Sequence, residues 1–140
     1  MVNSLLARAR RWVRGMHHLV MKLGFRLGDW LQSIAGPDGA YAVGRRCERK
    51  GDYAGGIAVF AEAEREYAKR LGPASPRVVD AMAQRAYCLI KVGRLPEAVE
   101  LYERALEAKL NGPDEGPPPL DQLRRLLADA RQRLALKRLD

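Results

Sequence analysis

From Val2 to Ile34 apolar residues recur at heptad spacing in two interleaved series. Leu6, Val13, Val20, Leu27 and Ile34 form one series; Val2, Ala9, Met16, Leu23 and Trp30 form the other. Such spacing predicts a long amphipathic helix. Leu5, Trp12 and Leu19 widen the apolar stripe beyond a two-stranded seam, which suits burial against several helices or a bilayer interface. A continuous helix of about 32 residues would run about 48 Å. Gly15 and Gly24 weaken it by roughly 1 kcal/mol each relative to alanine, so a bend near either is expected.

"AGPDG", Ala35 to Gly39, ends that helix: Gly36 is a C-cap candidate, Pro37 stops propagation and Asp38 can cap the next helix. Helical periodicity then resumes over about Ala40–Lys50 and about Tyr53–Leu71, with a turn at Gly51-Asp52. "GPASP", Gly72 to Pro76, separates these from helices over about Arg77–Val92 and about Leu95–Leu110, which turn at Gly93-Arg94. "NGPDEGPPP", Asn111 to Pro119, is the strongest breaker, and a final helix from Leu120 to about Arg138 carries Leu120, Leu123, Leu127, Ala130 and Leu134 on one face. The pattern predicts an all-α fold of six helices without strands.

Composition agrees: 47% of residues are hydrophobic, 30% charged and only 6% aromatic, with Ala, Leu, Arg and Glu prominent. A chain of 140 residues makes one folded domain the default. The net charge of +8 is unevenly placed: residues 1–50 hold 10 Lys and Arg against 3 acids, and residues 51–140 hold 15 against 14. An N-terminal excess of that kind points to a local anionic partner.

Cys47 and Cys88 lie outside any C-x-x-C pattern and fit a reducing, cytoplasmic setting as small buried hydrophobes. His17 and His18 are adjacent, so on a helix they point apart and cannot share a metal. No apolar run reaches membrane-spanning length, which leaves a cytoplasmic or membrane-peripheral protein. The acid-free segment 1–28 also loosely resembles an organellar transit peptide.

"KVGRLPEAVELYERALEA", Lys91 to Ala108, has a looser copy in "RKGDYAGGIAVFAEAERE", Arg49 to Glu66, at an offset of i to i+42. The pairs Gly44/Ala86, Gly51/Gly93, Tyr53/Leu95, Gly56/Ala98, Ile57/Val99, Phe60/Tyr102 and Ala63/Ala105 keep that offset. Small residues at Gly44/Ala86 and Gly56/Ala98 allow the helices of a hairpin to approach closely, and Phe60/Tyr102 fill the space between hairpins.

These residues resemble the tetratricopeptide repeat (TPR), and the i to i+42 spacing looks most like its kinesin-light-chain-type subgroup. The resemblance implies a short α-solenoid over 39–140, with repeat 1 at about 39–72, repeat 2 at about 77–112 and a capping helix at 118–138, preceded by the basic helix of residues 1–35. Arg85, where the family usually has Leu, and Cys47, where an aromatic is usual, depart from the pattern.

Such scaffolds line a groove with the first helix of each repeat. The resemblance carries groove positions onto Tyr41, Arg45, Glu48 and Arg49 in the first repeat and Ala83, Tyr87, Ile90 and Lys91 in the second. Arg124 and Arg131 join them if Asp121 is equivalent to Asp80. A basic groove would suit an acidic segment or a C-terminal carboxylate held by Arg forks, although the Lys and Asn pattern of carboxylate-clamp TPRs is missing.

The N-terminal face made by Leu6, Trp12, Val13, Met16, Val20, Leu23, Leu27 and Trp30 has three readings: packing on the repeats, docking on a partner or a second copy, or lying on an anionic membrane. Nothing in the sequence has the spacing of a catalytic triad, a phosphate-cradling loop or a metal site, so no cofactor and no enzymatic role are expected. Nucleic-acid binding is disfavoured because the basic residues do not cluster on a recognition helix. The sequence therefore points to a non-catalytic protein-interaction module, an adaptor or assembly scaffold.

Overall fold

Five helices follow one another in the computed structural model, which describes residues 27–140: α1 Leu27–Arg49, α2 Tyr53–Leu71, α3 Pro76–Lys91, α4 Leu95–Asn111 and α5 Leu120–Lys137. No strand occurs among the described residues. The expected face residues Leu6, Trp12, Val13, Met16, Val20 and Leu23 lie outside the described residues, while Leu27 and Trp30 fall in the first turns of α1.

The expected break after the first helix is local. Gly36 has φ 68 and ψ −163, outside helical space, so α1 consists of two helical pieces joined at this residue. Glycine meets that requirement without the steric cost a Cβ would bring. Pro37 then opens the second piece, where its missing N–H costs nothing.

The two hairpin turns repeat one geometry. Gly51 N–H donates to Glu48 O (3.0 Å) and Asp52 N–H to Cys47 O (2.9 Å); correspondingly, Gly93 N–H donates to Ile90 O (3.0 Å) and Arg94 N–H to Leu89 O (2.9 Å). Both glycines have positive φ, 75 and 81, the left-handed state that ends a helix. Asp52 caps α2 by accepting from Gly55 N–H at 2.9 Å, and the Ser75 side chain caps α3 through Val78 N–H.

Packing follows from alternation of small and large residues. A Cβ on Gly44 would stand 2.7 Å from the Phe60 ring and one on Gly56 would stand 3.0 Å from Cys88 Sγ, so α1, α2 and α3 meet at van der Waals range. Phe60, Ala63, Ala86, Ala98, Tyr102 and Ala105 are all buried, as the repeat pairing anticipates. Gly44 and Cys47 of α1 face Phe60 and Gly56 of α2 in reverse order, which makes the pair antiparallel. The bond from Arg131 to Glu103 and that from Lys137 to Gly93 likewise set α5 antiparallel to α4.

Alternate helices run parallel. Tyr41 bonds to Asp80 and Arg45 to Gln84, each pair separated by 39 residues. Arg104 of α4 reaches Glu64 of α2 across a separation of 40. The sequence therefore repeats from i to i+42, but neighbouring hairpins meet from i to i+39, a slip of about one helical turn.

Two buried charges brace this arrangement. Glu64 of α2, only 8% exposed, accepts from Arg85 of α3 (3.0 Å) and Arg104 of α4 (3.2 Å). Arg85, the departure from the repeat pattern, thus has a structural role between helices. Lys109, 3% exposed, donates to Glu115 O and Gly116 O at 3.1 and 3.0 Å and lies 3.3 Å from Asp114 Oδ1. It fastens the loop between α4 and α5 to the core.

Candidate functional site

The face shared by α1, α3 and α5 carries most of the expected groove residues. At the seam between α1 and α3, the Tyr41 hydroxyl donates to Asp80 Oδ2 at 2.6 Å while its ring packs edge-on against Phe60, 5.5 Å between centroids. Burial, followed by the hydrogen bond to Asp80, holds the Tyr41 phenol well above its ordinary pKa, so it stays a donor. One turn on, Arg45 Nη1 donates to Glu48 Oε2 (2.7 Å) and to Gln84 Oε1 (2.8 Å). Its charge is therefore already matched inside the protein.

At the start of α3, Asp38 accepts from the Tyr67 hydroxyl at 2.5 Å and lies 3.5 Å from Arg77 Nη1, while the Arg77 guanidinium sits over the Tyr67 ring at 5.9 Å. These contacts tie the second piece of α1 to α2 and α3. At the far end, the ring of Tyr87 meets Tyr53 edge-on at 6.3 Å, and Lys91 Nζ lies 5.2 Å from the Tyr87 centroid. Ala83 is buried, Ile90 is half-buried against the core, and Arg49 and Lys91 are exposed.

The seam between α3 and α5 is different. Ala83 and Tyr87 of α3 and Gln122 and Leu126 of α5, which are 39 residues further on, line one cleft of about 310 Å³. Ala83 and Tyr87 are the i+42 equivalents of Tyr41 and Arg45. Where the first seam is filled by a phenol bonded to a carboxylate, the second has a methyl group and an amide, and a hollow results. Glu48, Asp80, Gln84 and Tyr102 complete its polar lining, and Pro117 and Pro118 form one wall.

The register assumed for the last helix requires correction. Gln122 and Leu126 of α5 reach the cleft, whereas Arg124 is exposed beside Asp121 at 3.9 Å and Arg131 pairs with Glu103 of α4 at 2.8 Å. Neither arginine joins the cleft, because both stand on the side of α5 turned away from Gln122. Sequence reading also missed Asp80 and Gln84 as seam residues. The signal that could have found the cleft is the change from Tyr41 to Ala83 within an otherwise size-matched repeat.

A larger hollow of about 700 Å³ lies where the loops preceding α3 and α5 meet. Its walls are mainly Leu71, Pro73, Pro76, Pro113 and Pro117, with Arg77 and Asp80 as the ionisable groups. It offers few polar groups to orient a ligand. Among the described residues no group of three or more His, Cys, Asp or Glu could hold a metal ion, and no helix is long and apolar enough to cross a membrane.

Comparison with protein-family models, with curated proteins and with solved structures gave no match to the chain.

Proposed function

We propose that this chain is a non-catalytic, TPR-like interaction module, a short α-solenoid of two hairpins and a capping helix that holds a partner's peptide segment on its α1/α3/α5 face, as an adaptor or assembly scaffold. One observation carries this reading: α1 and α3 lie parallel through Tyr41–Asp80 and Arg45–Gln84, and a polar cleft opens beside α5. Parallel helices at constant stagger make a ribbed surface along which an extended chain can lie. The residues brought together are aromatic, amide and carboxylate groups over small side chains, a set that recognises side chains and backbone.

Site-specific photo-crosslinking in the native host tests the proposal. A photoreactive residue at Gln122 is expected to trap a partner chain, while one at Glu62, on α2, traps none. Equal capture at both positions, or none at Gln122, would overturn the reading.

A further inference from the structure

We propose that the cleft between α3 and α5 receives an arginine side chain from the partner. This assignment rests on the reading of the α1/α3/α5 face as a peptide site and gives that peptide a charge opposite to the one expected from sequence.

Three features support it. The charged residues lining the cleft are two carboxylates, Glu48 and Asp80, and none of its described lining residues is Lys or Arg; Glu48 is paired with Arg45, whereas the side chains bonded to Asp80, Tyr41 and Gln84, are neutral. Arg45 is held by Glu48 and Gln84, which line the cleft on its α1 side, so its charge is matched and Asp80 carries the remaining negative charge. An anionic side chain entering here would meet like charge, whereas a cation meets complementary charge in a half-enclosed space.

Second, Tyr102, only 1% exposed, lines the cleft. Burial, then nearby Asp129, pushes its pKa up to about 12, so the oxygen is a neutral hydroxyl and can accept an N–H.

Third, the chain itself shows what fills such a seam. At α1/α3 the space is occupied by the Tyr41 phenol and by the Arg45 guanidinium, which donates to a carboxylate and an amide. At α3/α5 Ala83 and Tyr87 supply neither a phenol bonded across the seam nor a guanidinium, while the oxygen-bearing side chains of Glu48, Asp80, Gln84 and Gln122 stand around the cleft. Leu126, Ala83 and Pro118 offer apolar contact to an arginine's methylene stem. A planar fork of donors matches acceptors spread around a cleft better than a point-like ammonium.

Fluorescence anisotropy with the full chain and four pools of short synthetic peptides, random except for a central Arg, Lys, Leu or Glu, tests this. The arginine pool is expected to bind about tenfold tighter than each of the others and to weaken with added salt. Gln122 is exposed, so its substitution spares the fold. Gln122→Lys is expected to lower arginine-pool affinity about tenfold and Gln122→Glu to raise it several-fold. Ala83→Tyr, which restores the phenol of the first seam, is expected to abolish binding.

Two results overturn the arginine assignment: a lysine, leucine or glutamate pool that binds as tightly as the arginine pool, or Gln122→Lys that leaves arginine-pool binding unchanged. If another pool binds and Ala83→Tyr removes that binding, the face remains a peptide site and only the arginine falls. If no pool binds, both readings fall.

Discussion

Gly44 and Phe60 are in contact so close that the glycine has no room for a methyl group: a Cβ there would meet three ring carbons at 2.7 to 2.8 Å. The edge of a fully buried ring cannot retreat without displacing Tyr41, which packs on it. Alanine at position 44 gains about 1 kcal/mol in helix propensity but must force α1 and α2 apart. Gly44→Ala is expected to lower stability by about 1–3 kcal/mol, read by urea unfolding. Adding Phe60→Leu to Gly44→Ala should recover part of the loss; a second substitution that only adds to the damage would show that the contact is not the cause.

Glu64 predicts a charge-specific effect. With its carboxylate removed, Arg85 and Arg104 lose their common partner while Arg85 remains partly buried, its Nε already without a hydrogen-bond partner among the described residues. Glu64→Ala is expected to cost about 3 kcal/mol, whereas the double substitution Glu64→Leu with Arg85→Leu should be far milder, since both buried charges leave together. Thermal unfolding of the two variants decides between a charge effect and a simple loss of packing.

Lys109 holds the Asn111–Pro119 loop by two carbonyls. Lys109→Met preserves most of the buried stem and removes the ammonium, leaving Glu115 O and Gly116 O without this donor. The expected result is faster amide exchange and proteolysis confined to that loop, with a stability loss of about 1–3 kcal/mol. Uniform loosening of the whole chain would contradict a local fastener.

Alkaline pH should unfold the protein cooperatively. Burial raises Cys88 from 9.0 to about 11, and burial raises Tyr67 and Tyr102 from 10.0 to about 12. In each case the folded form keeps a proton that the unfolded chain releases. Stability is therefore full below about pH 9 and is lost as pH rises through 9 to 12. Tyrosinate absorbance and loss of helical circular dichroism should rise together; tyrosines that ionise well before helix is lost would exclude this coupling.

Much of the architecture was legible because it depends on local patterns. Turn glycines, the proline-rich breakers and the alternation of Gly44 with Phe60 are written in residue types, and the limits of α2 to α5 inferred from the sequence fall within about two residues of those observed. The break at Gly36 was equally readable. What escaped depends on distance in the chain. Glu62 and Glu66 form local i,i+3 pairs with Arg65 and Lys69, but Glu64 between them faces inward to partners 21 and 40 residues away. Arg45 reads as free to bind a partner because its ligand Gln84 belongs to another hairpin. The cleft between α3 and α5 escaped for a related reason: its lining comes from α1, α3, α4, α5 and the proline loop, residues far apart in the chain.

The 39-residue stagger of α1 against α3 bears on construction from identical units. A tandem array copied from residues 39–80 alone would place a tyrosine opposite an aspartate at every junction and would be solid throughout. Room for a guest arises here by divergence between copies, through two ordinary side-chain exchanges and no change of backbone plan. Engineers could accordingly open or shut berths along longer arrays one junction at a time.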